Sequence, residues 1–305
     1  MSELSSPSKV FNLFKEFNFH TNKKLGQNFL IDSNIISKII SAADLRSEDL
    51  VVEIGPGLGV LTQSIADEVS RVLSIEIDRK LQPILEVNLK EYSNTKVIFQ
   101  DALKTDFDRL VYAEAGGKSR SYKVIANLPY YITTPLLMHI LESKFNVELI
   151  VIMVQREVAE RMTAPPGKKD YGALSVAVQY YTEPEIICRV PKTVFIPAPE
   201  VDSTVIRLIK RKLPPVQLKS EKLFFNLVRT AFNQRRKTVL NAMQGSNWGL
   251  MKEEWKIILE KAGIDPMRRG ETFSLQDFAM LSNCVYETLK ELSTVYQEGE
   301  QIPLY

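Results

Sequence analysis

The chain has 305 residues, enough for two domains at about 150 residues each. With 45% hydrophobic and 25% charged side chains it has the composition of a globular protein rather than a disordered, collagen-like or membrane-embedded one. Its net charge is only +2. Two widely separated cysteines (Cys188, Cys284) and two histidines in no nucleophile motif (His20, His139) exclude a disulfide framework, a zinc cluster and a His-dependent hydrolase, and no metal is expected.

No apolar run approaches the roughly 20 residues that cross a bilayer, so no membrane partner is expected. The opening MSELSSPSKVFNLFKEF lacks the apolar core and cleavage site of a secretory signal, and a cytoplasmic location is expected. Residues 1 to 18 read as a loosely ordered tail with a few aromatics, within an N-terminal tail of residues 1–22.

From about residue 34, short apolar strands alternate with amphipathic helices. LVVEI (50–54) reads as a buried strand. After GPGLG comes a helix with Leu58, Leu61, Ile65 and Val69 on one face. A strand at VLSIE, a helix from Arg79 to Lys90 and a strand at KVIFQ ending in Asp101 follow. Beyond the polar, glycine-containing AEAGGKSRS come the strand of YKVIANLPYY, a helix near Pro135 to Ser143 and the strand ELIVIMVQ. Such alternation predicts right-handed crossovers and a mainly parallel sheet covered on both faces.

The strand signal ends near residue 205, and the paired prolines of IRLIKRKLPPV mark a hinge. Helices are expected over 219–243, 252–262 and 274 to about 290, with Ser274 as N-cap of the last. The expected organisation is an α/β domain over 23–210 and a small all-α domain over 211–305.

Charge is unevenly distributed. Residues 203–240 hold ten basic side chains and one acidic, whereas 1–202 hold 23 and 26, and 241–305 hold six and ten. Clustered cations in a near-neutral chain point to a polyanion partner. Lys222, Arg229 and Arg236 recur every seven residues, on one helical face beside an apolar stripe of Leu223, Leu227 and Ala231. With Arg235 they are the candidate nucleic-acid contacts.

In an open parallel sheet, ligands bind beyond the carboxyl ends of the strands. Four groups fall at such ends. The first is Glu53-Ile54-Gly55-Pro56-Gly57-Leu58-Gly59, whose glycines allow a tight turn and close approach to a ligand at a helix N-terminus. Its GxGxG spacing puts Val60 where a dinucleotide fingerprint has a small residue, which weakens a nicotinamide-dinucleotide oxidoreductase reading. Glu76 ends the next strand and can bind two ribose hydroxyls. Asp101 ends the third and can accept a hydrogen bond from an adenine amine. Asn127-Leu128-Pro129-Tyr130 ends the fourth. A glycine-rich turn without a downstream phosphate-binding Lys, plus two acids for a nucleoside, fits S-adenosylmethionine.

The fourth group suits methylation of an exocyclic amine, whose lone pair is delocalised into the base. If the Asn127 side-chain oxygen and the Leu128 carbonyl accept the two amine hydrogens, the lone pair turns toward the methyl donor. Pro129 stiffens that turn, and Tyr130 offers a ring to stack on the base. Transfer by positioning needs no strong base or metal.

These blocks, with KKLGQNFL (23–30), EIGPGLGVLT (53–62), IEID (75–78), QDAL (100–103), NLPYYI (127–132), MVQREVAERM (153–162), YGALS (171–175) and FIPAPEVDS (195–203), resemble the KsgA/RsmA family of ribosomal RNA small-subunit adenine N6,N6-dimethyltransferases over nearly the whole chain. The resemblance implies a Rossmann-like SAM-dependent methyltransferase domain with a helical rRNA-binding domain. It implies that Asn28 and Leu30 enclose the methionine end of S-adenosylmethionine, that Gly55 and Gly57 line the loop, and that Glu76 holds the ribose and Asp101 the adenine. Asn127 would touch cofactor and target amine, and Tyr130 and Phe195 would sandwich a flipped-out adenosine.

The implied substrate is a pair of adjacent adenosines in the 3′-terminal hairpin of small-subunit rRNA, in an immature subunit met by a monomer. An Erm-type large-subunit rRNA adenine methyltransferase shares fold and chemistry and stands as an alternative, as does a non-catalytic RNA-binding assembly or transcription factor.

Overall fold

A computed structural model describes residues 6–22, 25–246 and 248–297. Lys23 and Lys24, which begin the KKLGQNFL block, lie outside the described residues, as do 1–5 of the tail and 298–305 of the C-terminal region. Among the described residues no helix is long and apolar enough to cross a membrane.

The N-terminal region is not a loose tail. It holds helix α1 (Pro7–Glu16), with Pro7 in its first turn, where a missing N–H costs nothing. Val10 is fully buried, and the Phe14 ring lies 5.3 Å from that of Phe19 and 5.7 Å from that of Phe29. Short strand β1 (Phe29–Leu30) follows, then α2 (Ser33–Ala43), capped by the Asp32 carboxylate accepting from the N–H groups of Asn34 and Ile35.

Strands and helices then alternate as the periodicity requires: β2 (Leu50–Ile54), α3 (Val60–Ala66), β3 (Arg71–Glu76), α4 (Gln82–Asn88), β4 (Thr95–Phe99), α5 (Phe107–Glu114), β5 (Tyr122–Asn127), α6 (Thr133–Glu142) and β6 (Val147–Gln155). Every residue of β2 is buried, as expected of a central strand covered on both faces. After α7 (Arg156–Thr163) and α8 (Ala173–Tyr181) come β7 (Thr182–Val190), β8 (Phe195–Ile196) and β9 (Ser203–Lys210).

The main sheet has the order β4-β3-β2-β5-β6-β9-β7. The first five strands pair in parallel, while β9 lies antiparallel to both β6 and β7. Strands β7 and β9 thus extend the sheet beyond the pattern expected from sequence. IRLIK belongs to β9 rather than to a hinge, and the chain leaves the sheet only at the prolines beyond it. Strand β8 pairs with β1 in a separate two-stranded ribbon, Leu30 opposite Phe195.

The C-terminal region is helical: α9 (Glu221–Asn233), α10 (Val239–Gln244), α11 (Lys252–Lys261) and α12 (Leu275–Gln297). The continuous helix expected over 219–243 is broken. Gln234 leaves helical geometry, Arg235, Arg236 and Lys237 follow without an apolar anchor, and Thr238 caps a new helix by accepting from Asn241 N–H. Ser274 caps α12 reciprocally: its Oγ accepts from Asp277 N–H at 3.1 Å, and Asp277 Oδ2 accepts from Ser274 N–H at 2.8 Å.

The chain forms two compact units. One holds the chain up to Ala159 together with Thr182–Lys210; the other holds Glu160–Tyr181 and the chain from Arg211 onward. Residues 160–181, placed in the α/β domain by sequence, thus group with the C-terminal helices. Within that second unit Tyr180 packs on Phe224 and Phe225 at 5.4 and 5.3 Å, and Tyr171 Oη donates to Phe273 O at 2.7 Å.

Candidate functional site

The carboxyl ends of β2, β3 and β5 open onto one cleft of about 260 Å³ in the first unit. Asn28, Leu30, Gly55, Gly57, Glu76, Asp101, Asn127, Leu128, Pro129, Tyr130 and Phe195 all line it. These residues are scattered over 168 positions of the chain, from Asn28 to Phe195. Parallel strands with right-handed crossovers bring their ends together.

The glycine turn is built as its spacing requires. Gly55, Gly57 and Gly59 have φ of 73°, 58° and 86°, a region that side chains with a Cβ rarely adopt. At Gly57 a Cβ would also lie 3.0 Å from the Phe29 ring. The turn delivers the chain into α3, whose N-terminal end faces the cleft through Val60.

Two buried glutamates brace this turn. Glu53 is fully buried, and its Oε2 accepts from Thr62 Oγ1 at 2.6 Å and Ser74 Oγ at 2.7 Å, tying β2 to α3 and β3. Its Oε1 has no hydrogen-bond partner among the described residues. Burial raises its pKa from 4.5 to about 7 despite those two donors. The fold therefore holds a proton on Glu53 that the unfolded chain releases above pH 4.5, and stability falls as pH rises through that window up to about 7. Glu53→Gln removes the titration. Its unfolding midpoint relative to the wild type is expected to rise by several degrees between pH 5 and pH 8, read by thermal melts at both; a constant difference would contradict a neutral Glu53.

Glu76, 6% exposed, stands at the cleft wall. Its Oε1 accepts from Asp78 N–H at 2.8 Å and its Oε2 from Gly57 N–H at 3.4 Å. Burial outweighs these backbone donors and raises its pKa to about 7. Asp101 Oδ1 caps the turn after β4 by accepting from Leu103 N–H, and the residue is only half-buried.

At the end of β5, Asn127 Nδ2 donates to the Asn28 carbonyl at 3.2 Å. That bond uses one of the two Nδ2 protons and orients the amide, with Oδ1 on its other branch as an acceptor. Pro129 O accepts from Ile132 N–H and Thr133 Oγ1, which sets the turn carrying the Leu128 carbonyl. Tyr130 is half-buried and its hydroxyl shares a 2.8 Å hydrogen bond with Ser203 Oγ; burial raises its pKa. Phe195, only 4% exposed, reaches the cleft from β8.

Sequence reasoning passes over four features. Tyr131 (54% exposed) and Ile77 (52%) line the cleft beside Tyr130 and Glu76. Gln27 and Asp78 join through Gln27 Nε2 donating to Asp78 Oδ2 at 2.7 Å. Both sit inside recognisable blocks, GQNFL and IEID, but a pair 51 positions apart leaves no local signal.

The basic residues fall in the second unit. Lys222 and Arg229 are exposed on α9, Arg229 donating to Asn226 Oδ1 at 2.9 Å. Arg235 and Arg236 lie beyond the end of α9, so the single helical face expected for Lys222, Arg229 and Arg236 does not form. Arg235 is paired with Glu271 at 2.8 Å and donates to Lys169 O. Elsewhere, His139 Nε2 contacts Thr105 O at 3.0 Å in a cluster with Phe107 and Phe145, and both cysteines are half-buried and free.

Comparison with known proteins adds to this geometry. The model of the ribosomal RNA adenine dimethylase family matches residues 18–280. The ribosomal RNA small subunit methyltransferase A of Pelotomaculum thermopropionicum is 52% identical over 287 residues, 93% of this chain and 97% of its own. The protein of the same name from Geobacillus sp. is 47% identical over 94% of this chain and 99% of its own. Among solved structures, a dimethyladenosine transferase from Plasmodium falciparum is similar with a TM-score of 0.71 and 28% identity, covering 86% of this chain and 98% of its own. The 23S rRNA methyltransferase ErmE gives a TM-score of 0.64 at 25% identity, covering 85% and 100%.

Proposed function

Because the chain belongs to the ribosomal RNA adenine dimethylase family, we propose that it is a SAM-dependent rRNA adenine N6,N6-dimethyltransferase acting on two adjacent adenosines in the 3′-terminal hairpin of small-subunit rRNA, during small-subunit biogenesis in the cytoplasm. The observation that carries this reading is the donor set of the cleft. It presents Glu76 and Asp101 at consecutive strand ends and, among the described residues, no Lys, Arg or His. Two carboxylates suit the ribose hydroxyls and the adenine amine of a nucleoside, and the described lining offers no cationic side chain to a pyrophosphate.

S-adenosylmethionine supplies, when bound, a methyl group on a positively charged sulfur. Asn28 and Leu30 would hold its methionine end, Gly55 and Gly57 its passage along the turn, Glu76 the ribose hydroxyls and Asp101 the adenine amine. The Asn127 Oδ1 and the Leu128 carbonyl accept the two N6 hydrogens of the target and turn its lone pair toward the donor methyl. Tyr130, braced through Ser203, and Phe195 offer faces to the extruded base. After transfer the extra amine proton would pass to water; none of Asn127, Leu128, Pro129 and Tyr130 carries a side chain that is a base at neutral pH.

The Erm-type reading is not favoured: relatives at 47% and 52% identity carry the small-subunit name, and the large-subunit enzyme ErmE stands at 25%. Incubation with labelled S-adenosylmethionine and undermethylated ribosomal subunits tests the choice. Labelled N6,N6-dimethyladenosine is expected in small-subunit RNA; label confined to large-subunit RNA would overturn the assignment.

The second unit would hold the rRNA through Lys222, Arg229, Arg235 and Arg236, one monomer per subunit. Neutralising Arg229, Arg235 and Arg236 together is expected to reduce the slope of log affinity against log salt by about 2, at about 0.7–0.9 for each phosphate no longer neutralised. A filter-binding salt series checks this, and an unchanged slope would return these residues to solvated surface.

A further inference from the structure

The segment Leu25–Leu30 lines the cleft, and a run of hydrogen bonds fastens it to the turn after β3 that carries Glu76 and Asp78. Asn22 N–H donates to Gln27 Oε1 at 2.7 Å, which turns the Gln27 amide so that Nε2 donates to Asp78 Oδ2, also at 2.7 Å. Asp78 Oδ1 accepts from Lys80 N–H at 3.1 Å, and Asp78 N–H donates to Glu76 Oε1 at 2.8 Å. Glu76 Oε2 in turn accepts from Gly57 N–H. At its other end the same segment presents the Asn28 carbonyl to Asn127 Nδ2 at 3.2 Å. Asp78 is only 8% exposed, so its bond with Gln27 is largely shielded from water, where a hydrogen bond to a charged group has its greatest worth.

We propose that Gln27 and Asp78 are positioning residues that lock the Leu25–Leu30 segment across the cofactor cleft and thereby fix the Asn127 amide. Gln27 stands next to Asn28 in the chain, so its anchorage sets where the Asn28 carbonyl lies. That carbonyl decides which end of the Asn127 amide faces the target amine: with it in place, Nδ2 is turned toward Asn28 and Oδ1 toward the target. Release of Gln27 frees the amide to rotate and to present a donor to a group that itself donates. Cofactor retention and nucleophile orientation are thus joined through one side-chain pair that contacts neither reacting atom. The proposal rests on the methyltransferase reading above.

Polarity makes the pair testable by exchange. In Gln27→Glu a second carboxylate opposes Asp78. In Asp78→Asn an amide N–H opposes the Gln27 amide, whose oxygen is engaged by Asn22. The double variant Gln27→Glu/Asp78→Asn restores the bond with donor and acceptor reversed. The introduced carboxylate accepts from both Asn22 N–H and the introduced amide, whose oxygen still accepts from Lys80 N–H.

Binding of S-adenosylhomocysteine by isothermal titration calorimetry and steady-state methyl transfer are the readouts. Each single variant is expected to weaken binding about tenfold and to lower kcat as well as raise KM, while the double variant returns to within about threefold of wild type. Gln27→Glu binding and turning over like wild type, or a double variant at least as weak as the weaker single one, would overturn the proposal. If a single variant fails to fold, the double variant alone decides by the same threefold limit. A wild-type protein that does not bind S-adenosylhomocysteine would instead overturn the functional reading beneath it.

Discussion

Asn127→Ala is expected to lower kcat for methyl transfer by about 10²–10³-fold, the scale seen when one pre-oriented polar group is removed from a reacting centre. The loss comes from orientation rather than from acid–base chemistry. In the proposed mechanism the Asn127 Oδ1 accepts one N6–H, and without it the amine nitrogen would keep its lone pair in the conjugated system of the ring, pointing away from the donor methyl. Affinity for the rRNA is expected to stay within about threefold, because the basic residues assigned to RNA lie in the other unit. Asn127→Asp keeps an acceptor oxygen but places a carboxylate against the Asn28 carbonyl, so an intermediate rate is expected. Single-turnover kinetics on undermethylated small subunits measures both variants; wild-type turnover in Asn127→Ala would remove the assigned role.

Glu76→Gln is expected to weaken S-adenosylhomocysteine about 100-fold, the equivalent of one or two hydrogen bonds to a charged acceptor at about 1.5–3 kcal/mol each. The variant also carries a pH signature. Burial lifts the Glu76 pKa to about 7, so the carboxyl is protonated in the empty cleft at lower pH. In the proposed binding mode the ribose hydroxyls donate to the ionised form, and binding below that value must first release the proton. Wild-type Kd is therefore expected to rise about tenfold per pH unit below about 7 and to level off above it, whereas Glu76→Gln is flat across the same range. Titration calorimetry at several pH values reads both, and a wild-type Kd that does not change with pH would show that Glu76 is ionised before the ligand arrives.

The parts of the fold legible in the sequence are those with a strong local period. β2, β3, β4, β5 and β6 are short apolar runs bounded by glycine, acid or Asn-Leu-Pro turns, and their ends carry the cleft residues with them. Strand β7 escapes such a reading because TEPEIICRV is an edge strand with a proline and three charges, exposed along much of its length. Helix α1 escapes it although Val10, Leu13, Phe14 and Phe17 recur at helical spacing, since the segment is only ten residues long and set among polar neighbours. The seven-residue cationic period looks continuous because Arg236 keeps the spacing while the backbone, at Gln234, does not. The Gln27–Asp78 bond is out of reach for a different reason: it depends on two loops meeting in space, which no window of sequence contains.

The division of the chain has a consequence for how the protein can be taken apart or recombined. The second unit is assembled from two stretches, and α8 supplies Tyr180 to the aromatic cluster of Phe224 and Phe225. A C-terminal piece begun at Arg211 leaves that cluster open, and an N-terminal piece ended at Ala159 lacks β9 and so leaves β6 as a bare sheet edge. During synthesis the first sheet waits for residues made after the first stretch of its neighbour has emerged, so neither unit closes before the other has begun. Exchange of the second unit between relatives must then move residues 160–181 and the chain from 211 onward as a set, while leaving the sheet residues 182–210 between them in place.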